Sequence, residues 1–268
     1  MPTDTGADLE ELLTRGTLTP VGRIAGSSNG ALLCLVGDPA DEILVIHKPE
    51  ATERRLWDYP DGTLVARERA AWLVSEAGGF GVVPPTVLRD GPLGPGSVQL
   101  WVGPVSGEPE QEPLVDVLDP DEVPDGWLVV LEGESSLGEP VVVAHSPEPV
   151  LRTVAVLDAV LNNSDRKGSH VLRDGAVVRG CDHGVSLGVE PKLRTVLWGW
   201  AGEDLLAEDV ARLERLAAAL TDGLADELAP LLTAEEIEAL THRVDVLRRH
   251  RVHPRPRGGW PAIPWPAL

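Results

Sequence analysis

The sequence predicts an α+β protein in which strands come first and helices later. Two observations carry this. Between residues 21 and 103, short apolar and β-branched segments alternate with Gly, Pro and Asp turns. After residue 148, apolar positions recur at three- and four-residue spacing. No internal repeat interrupts this order, so the chain reads as two lobes, a β-rich N-lobe over residues 1–103 and a helical C-lobe over 104–268.

Each element has a local reason. Residues 1–16 are acidic and read as a frayed end or a short helix. Val21 to Ile24, Ala31 to Val36 and Glu42 to Lys48 read as strands, with turns at 25–30 and at Gly37-Asp38-Pro39-Ala40-Asp41. Leu64 to Ala77 reads as a helix stopped by Gly78-Gly79. Val82 to Leu88 and Ser97 to Gly103 return to strand. The Pro-, Glu- and Asp-rich stretch 104–124 reads as a lobe boundary or surface loop, and Leu128 to Leu131 as a short strand. Glu148 to Leu161 is a helix with Leu151, Val154, Leu157 and Leu161 on one face. Asp174-Gly175, between alternating apolar residues, predicts a hairpin. Glu208 to Leu220 is a further helix, and Thr233 and Glu236 form a capping box for the last one, which turns Ile237, Leu240, Val244 and Leu247 inward. The proline-rich tail from 253 reads as extended.

Composition limits the function. The chain has 268 residues, 43% hydrophobic and 25% charged, which suits a soluble globular protein with a sizeable core. There is no membrane-spanning apolar run and no signal-peptide pattern, so a cytoplasmic location is expected. Two cysteines make neither a disulfide framework nor a zinc pattern. A formal net charge of −20 argues against nucleic acid and against unaided docking on anionic membranes. Arg243, Arg248, Arg249, Arg251, Arg255 and Arg257 form the exception. They read as a cationic helix end contacting an acidic body, or as a phosphate-binding patch.

The chemistry concentrates around the hairpin. A hairpin returns its ends to one place, so His170 and Asp182 are expected side by side, with Asp165 in the loop just upstream. Two carboxylates and an imidazole are the equipment for holding a divalent metal and steering a hydroxyl. Lysine is rare here: Lys48, Lys167 and Lys192 are the only three, against a background of arginine. A retained lysine suggests a need for a compact ammonium. Glu68 shares a helix face with Leu64, Ala71 and Trp72, and a buried carboxylate needs a cation. Lys48 is the partner that a strand-to-helix connection offers.

Taken together, these parts resemble the protein-kinase-like fold, and within it the phosphatidylinositol 3/4-kinase-related branch. Asn163-Ser164-Asp165-Arg166-Lys167 is similar to that family's catalytic loop, and Asp182-His183-Gly184 to its Asp-Phe-Gly metal motif. Over its whole length the chain is similar to a family of actinobacterial kinase-like proteins, through Val83-Pro84-Pro85-Thr86-Val87-Leu88-Arg89-Asp90-Gly91-Pro92, Val98-Gln99-Leu100-Trp101 and Leu193-Arg194-Thr195-Val196-Leu197-Trp198-Gly199-Trp200. The resemblance implies a bilobal fold and ATP as nucleotide. Ser27, Ser28 and Asn29 would cover its phosphates, Lys48 would contact them while held by Glu68, and Gln99, Leu100, Trp101 and Val102 would form the hinge against adenine. Asp165 would orient or deprotonate the acceptor, Lys167 would stabilise phosphoryl charge or pair with Asp165, and Asp182 would bind metal. Lys192 and Arg194 could meet an anionic substrate.

Two departures matter. His170 stands where the family usually has a metal-binding asparagine, which makes Mn²⁺ as plausible as Mg²⁺. His183 replaces phenylalanine, which removes the basis for a Phe-driven switch. The implied activity is transfer of the γ-phosphate to a hydroxyl of a small polyol, a phosphoinositide headgroup or a protein Ser/Thr. The alternatives are a pseudokinase that binds nucleotide without turnover, and an enzyme that transfers AMP.

Overall fold

The computed structural model describes residues 6–24, 30–54, 56–59, 64–103 and 113–268. The expected α+β order holds, with antiparallel sheets in the first half and helices in the second. The expected phosphate loop with Ser27, Ser28 and Asn29 lies outside the described residues.

The first sheet has five antiparallel strands, β1 (Leu18–Arg23), β2 (Leu32–Val36), β3 (Ile43–Pro49), β4 (Thr86–Gly91) and β5 (Gly94–Leu100), in the order β1-β2-β3-β5-β4. Its buried face carries Cys34, Val36, Val45, Val87 and Val98, onto which Leu9, Leu12 and Leu13 of α1 (Gly6–Arg15) pack. β4 begins four residues later than the apolar run suggests. Pro84 and Pro85 supply no N–H to a ladder, so pairing starts at Thr86. The turn to β5 uses Gly94, whose φ of +92 suits glycine.

Between this sheet and the helical half lies α2 (Leu64–Gly78). It is buried nearly all round, Arg67 and Glu68 included, rather than along one stripe. Two ion pairs satisfy those charges, Arg67 with Glu236 and Glu68 with Lys48. The first turn of α2 is capped from a distance: the Glu53 carboxylate accepts from Leu64 N at 3.1 Å and Val65 N at 2.6 Å.

A second sheet of β6 (Val115–Leu118), β7 (Leu128–Glu134) and β8 (Pro140–His145) has the order β6-β8-β7. The sequence reading found only part of β7 and missed β6 and β8. The predicted hairpin is present as β9 (Val171–Asp174) and β10 (Val177–Gly180). The helical half comprises α3 (Pro149–Leu161), α4 (Ala207–Ala219), α5 (Ala225–Leu228) and α6 (Ala234–His250), with a kink at Asp222-Gly223 joining α4 to α5. Leu151, Leu157 and Leu161 of α3 meet Leu213, Leu216, Leu240 and Val244 in one core, and the capping box of α6 is formed as expected. Among the described residues no helix is long and apolar enough to cross a membrane.

Candidate active site

Asp158 sits at the C-terminal end of α3, fully buried, and organises the loop that follows. Its carboxylate accepts from Arg166 Nε at 3.1 Å to either oxygen and from Arg166 Nη2 at 3.0 Å. It also accepts from Asn163 Nδ2 at 2.9 Å and Thr195 Oγ1 at 3.3 Å. The guanidinium of Arg166, equally buried, then spends its other hydrogens on the hairpin ends. Nη1 donates to Cys181 O at 2.6 Å and His170 O at 3.2 Å, and Nη2 to His183 Nε2 at 2.7 Å. One buried arginine therefore fixes the loops carrying Asp165, His170 and Asp182 relative to α3. The sequence reading assigned Arg166 no role. Its signal was Asp158, the one carboxylate of α3 and set in the apolar run Val154–Leu161.

Asp182 adopts φ +59, a left-handed conformation uncommon for a non-glycine residue. Such strain persists where surrounding structure enforces it. Here the side chain is held from two sides. Lys48 Nζ donates to its Oδ1 at 3.0 Å, and His170 Nε2 lies 3.3 Å from its Oδ2. Lys48 also donates to Glu68 Oε1, and Glu68 Oε2 accepts from His183 N at 3.1 Å. The Lys48–Glu68 pair and the His170–Asp182 approach, both expected from sequence, are thus present as geometry.

The electrostatics follow from burial and pairing. The Lys48 ammonium beside Asp182 holds that carboxyl well below the usual range. Burial works against charge on Lys48, but Asp182 and Glu68 outweigh it and keep the amine protonated. Burial pushes Glu68 up, with Lys48 drawing it back. Burial raises the Asp165 carboxyl against the pull of Lys167, whose Nζ stands 3.5 Å away. Burial lowers His170 to about 4, so its ring is neutral near pH 7. The Cys181 thiol is pushed up to about 12 by burial, so it is no nucleophile.

Between the five-stranded sheet and the hairpin lies a cleft of about 510 Å³, and neither Glu68 nor Asp165 is among its lining residues. Lys48, Asp182, His170 and Lys167 line it, as do Gln99, Leu100, Trp101 and Val102. Those last four are not equivalent. The Gln99 amide donates to Thr86 Oγ1 at 2.7 Å and is buried, Leu100 N bonds Pro85 O at 2.9 Å, and Trp101 N bonds Leu44 O at 3.0 Å. Among the described residues, only Val102 of the four has an uncommitted backbone N–H. Lys192 and Arg194 point elsewhere: Lys192 pairs with Asp58 and lies over the Trp260 ring at 4.3 Å, and Arg194 Nη2 donates to Ile263 O.

A divalent cation fits the donors present. Asp182 offers a half-exposed carboxylate, and the neutral His170 ring has a buried Nδ1 without a partner. Among the described residues no three His, Cys, Asp or Glu gather into a metal cluster. Two donors suit a cation that takes its remaining ligands from phosphate and water.

The tail completes the floor in a way the sequence did not announce. Gly168 N donates to Ala267 O at 2.8 Å, Thr195 N to Ala262 O at 3.1 Å, and Trp198 Nε1 to Ala262 O at 2.8 Å. Leu268 itself lines the cleft, and a side chain at Gly168 would meet it.

Protein Rv2133c of Mycobacterium tuberculosis is 43% identical to this chain over 268 residues, covering 97% of this chain and 96% of that protein. The chain belongs to the Rv2133c family. No family model matches it. The crystal structure of the Helicobacter pylori proinflammatory kinase CtkA is similar at a TM-score of 0.44 and 12% identity, over 90% of this chain and 94% of that one. At that level the functional reading rests on the geometry of the chain itself.

Proposed function

We propose that the chain is an ATP-dependent phosphotransferase that moves the γ-phosphate to a hydroxyl. Residues 1–103 carry the nucleotide side and residues 104–268 the acceptor side. The observation that carries this reading is the Lys48 bridge. One ammonium is shared between a buried glutamate on α2 and a strained aspartate at the end of a hairpin, facing a nucleotide-sized cleft.

Each residue then has a task. Lys48, kept charged and held by Glu68, meets the phosphate oxygens. The Val102 N–H is the donor available to the base. A cation held by Asp182 and His170 would neutralise charge on the phosphates. Asp165, raised by burial toward the working range of a general base, accepts the acceptor's proton. Lys167 beside it offsets the charge that accumulates during transfer. The acidic body favours a soluble acceptor, an inositol-like polyol or a protein Ser/Thr, over a membrane phosphoinositide.

The test is phosphorus NMR of ATP with the purified protein and Mg²⁺ or Mn²⁺, beside Asp165→Ala and Asp182→Asn. ADP formation that is lost in both variants is the expected result. Pyrophosphate release would replace the reading with AMP transfer. Bound but intact ATP across an acceptor screen of inositols and proteins would replace it with a nucleotide-binding module.

A further inference from the structure

A second cavity, of about 230 Å³, opens between the end of α3, the 188–198 segment, α6 and the tail. It shares no lining residue with the cleft. Its apolar wall includes Val189, Leu193, Trp198 and Pro254. Its ionisable residues are Arg243, Arg255, Arg257 and His242, and among the described residues no carboxylate lines it. This is a cationic recess on a chain whose formal net charge is −20.

The arginines are not used up by the fold. Arg243 Nε donates to Val160 O at 2.8 Å and Nη1 to Gly188 O at 3.2 Å, but its buried Nη2 has no partner. Burial of this guanidinium outweighs the attraction of Tyr59 and Glu236 and holds it down to about 10, and it makes no ion pair among the described residues. Arg255 lies on Gly202, where φ is +85 and an added Cβ would meet the guanidinium. Neither Arg255 nor Arg257 forms an ion pair among the described residues. Their neighbours Arg248 and Arg249, by contrast, pair with Glu214 and Asp245.

We propose that this cavity binds a small organic anion, a phosphate or carboxylate on an apolar body, whose charged end is taken by Arg243, Arg255 and Arg257. The apolar wall receives the remainder of the ligand. The site also touches the segment that follows Asp182. Arg243 holds Gly188 O, and Asn162, which lines the cavity, holds Gly188 O and Glu190 O through Nδ2. An occupant therefore restrains residues 188–190.

Calorimetric titration of the full chain with phenyl phosphate, inorganic phosphate and benzyl alcohol at fixed ionic strength tests this. Phenyl phosphate should bind in the submillimolar range, inorganic phosphate more weakly, and benzyl alcohol not detectably. The Arg255→Gln/Arg257→Gln pair should weaken phenyl phosphate roughly tenfold or more, because two guanidinium donors to its charged end are removed. Arg257→Glu alone, an exposed change that leaves Arg255 on Gly202, should weaken it in the same direction with the melting temperature unchanged. Failure of the wild type to bind phenyl phosphate overturns the proposal. So does equal binding of benzyl alcohol, or binding that survives in both folded variants.

Discussion

Removing the Asp158 carboxylate is the sharpest test of how the site is held. In Asp158→Asn the size is kept, but an NH₂ group faces the Nε–H and the Thr195 hydroxyl that Oδ2 now receives. Arg166 cannot shed its proton, and its side chain is fully buried. Its remaining partners are two carbonyls and a neutral imidazole, none of them charged. Breaking one side of a buried pair in this way costs about 3–5 kcal/mol. Against a typical total of ~5–15 kcal/mol, that is a large share of the fold's stability. Urea unfolding followed by circular dichroism measures it. The control is Asp158→Leu with Arg166→Met, which removes both charges at once and should recover about 2 kcal/mol or more relative to the sum of the single changes. That double variant should still lose turnover, because the carbonyls of His170 and Cys181 are deprived of their common donor. A cost below ~1 kcal/mol for Asp158→Asn, or a double variant as damaging as the sum, would refute the idea that Arg166 is a buried charge dependent on Asp158.

Three further outcomes are expected. Glu68→Gln leaves Lys48 bound to Asp182 alone and should lower kcat/KM for ATP about 10- to 100-fold with a small change in melting, which steady-state kinetics would register. Gly199→Ala places a Cβ 2.5 Å from both Leu128 Cβ and His145 Nε2, so the second sheet must shift away, and unfolding should show a loss of about 1–3 kcal/mol. His253 is buried with its pKa lowered from 6.5 to about 4, chiefly by desolvation and next by Arg152. The native state then resists a proton that the unfolded chain accepts. Stability should be full above pH 6.5 and fall between there and about pH 4, by up to ~3 kcal/mol from this residue. In melting curves across that window, His253→Phe should flatten part of the slope, with His47, His145, His170 and His183, also lowered, contributing in the same direction.

What could be read in advance was local chemistry. The Asp174-Gly175 signal announced the hairpin, which turns through Gly175-Ala176 with Gly175 at φ +57 while Asp174 pairs with Val177, and the ends of that hairpin bring His170 to Asp182. Glu68 could be paired with Lys48 because a carboxylate on a buried face requires a cation. Interactions set by the fold at large were not legible. β6 lies in a stretch coloured by Pro, Glu and Asp, and β8 follows the Ser135–Gly138 turn from β7 but also pairs with β6, a partner that no local pattern announces. The start of β4 was read too early because the apolar run continues through Pro84-Pro85, which cannot donate. Likewise Leu100 and Trp101 looked available as a hinge, and only the paired strands reveal that their N–H groups are committed. The tail carries no periodicity, so its return to the loop bearing Asp165 had no sequence signal.

That return has a consequence for the order in which the candidate site is assembled. A chain emerging from the ribosome that has passed residue 200 already contains Lys48, Glu68, Asp165 and Asp182. The loop bearing Asp165 and the neighbouring 193–198 segment nevertheless still lack the acceptors that Ala267 offers to Gly168 and Ala262 offers to Thr195 and Trp198. Until residues 262–268 arrive and dock, the floor of the cleft is open and its polar groups are solvated. The candidate site is therefore complete only when the tail folds back onto residues translated long before it.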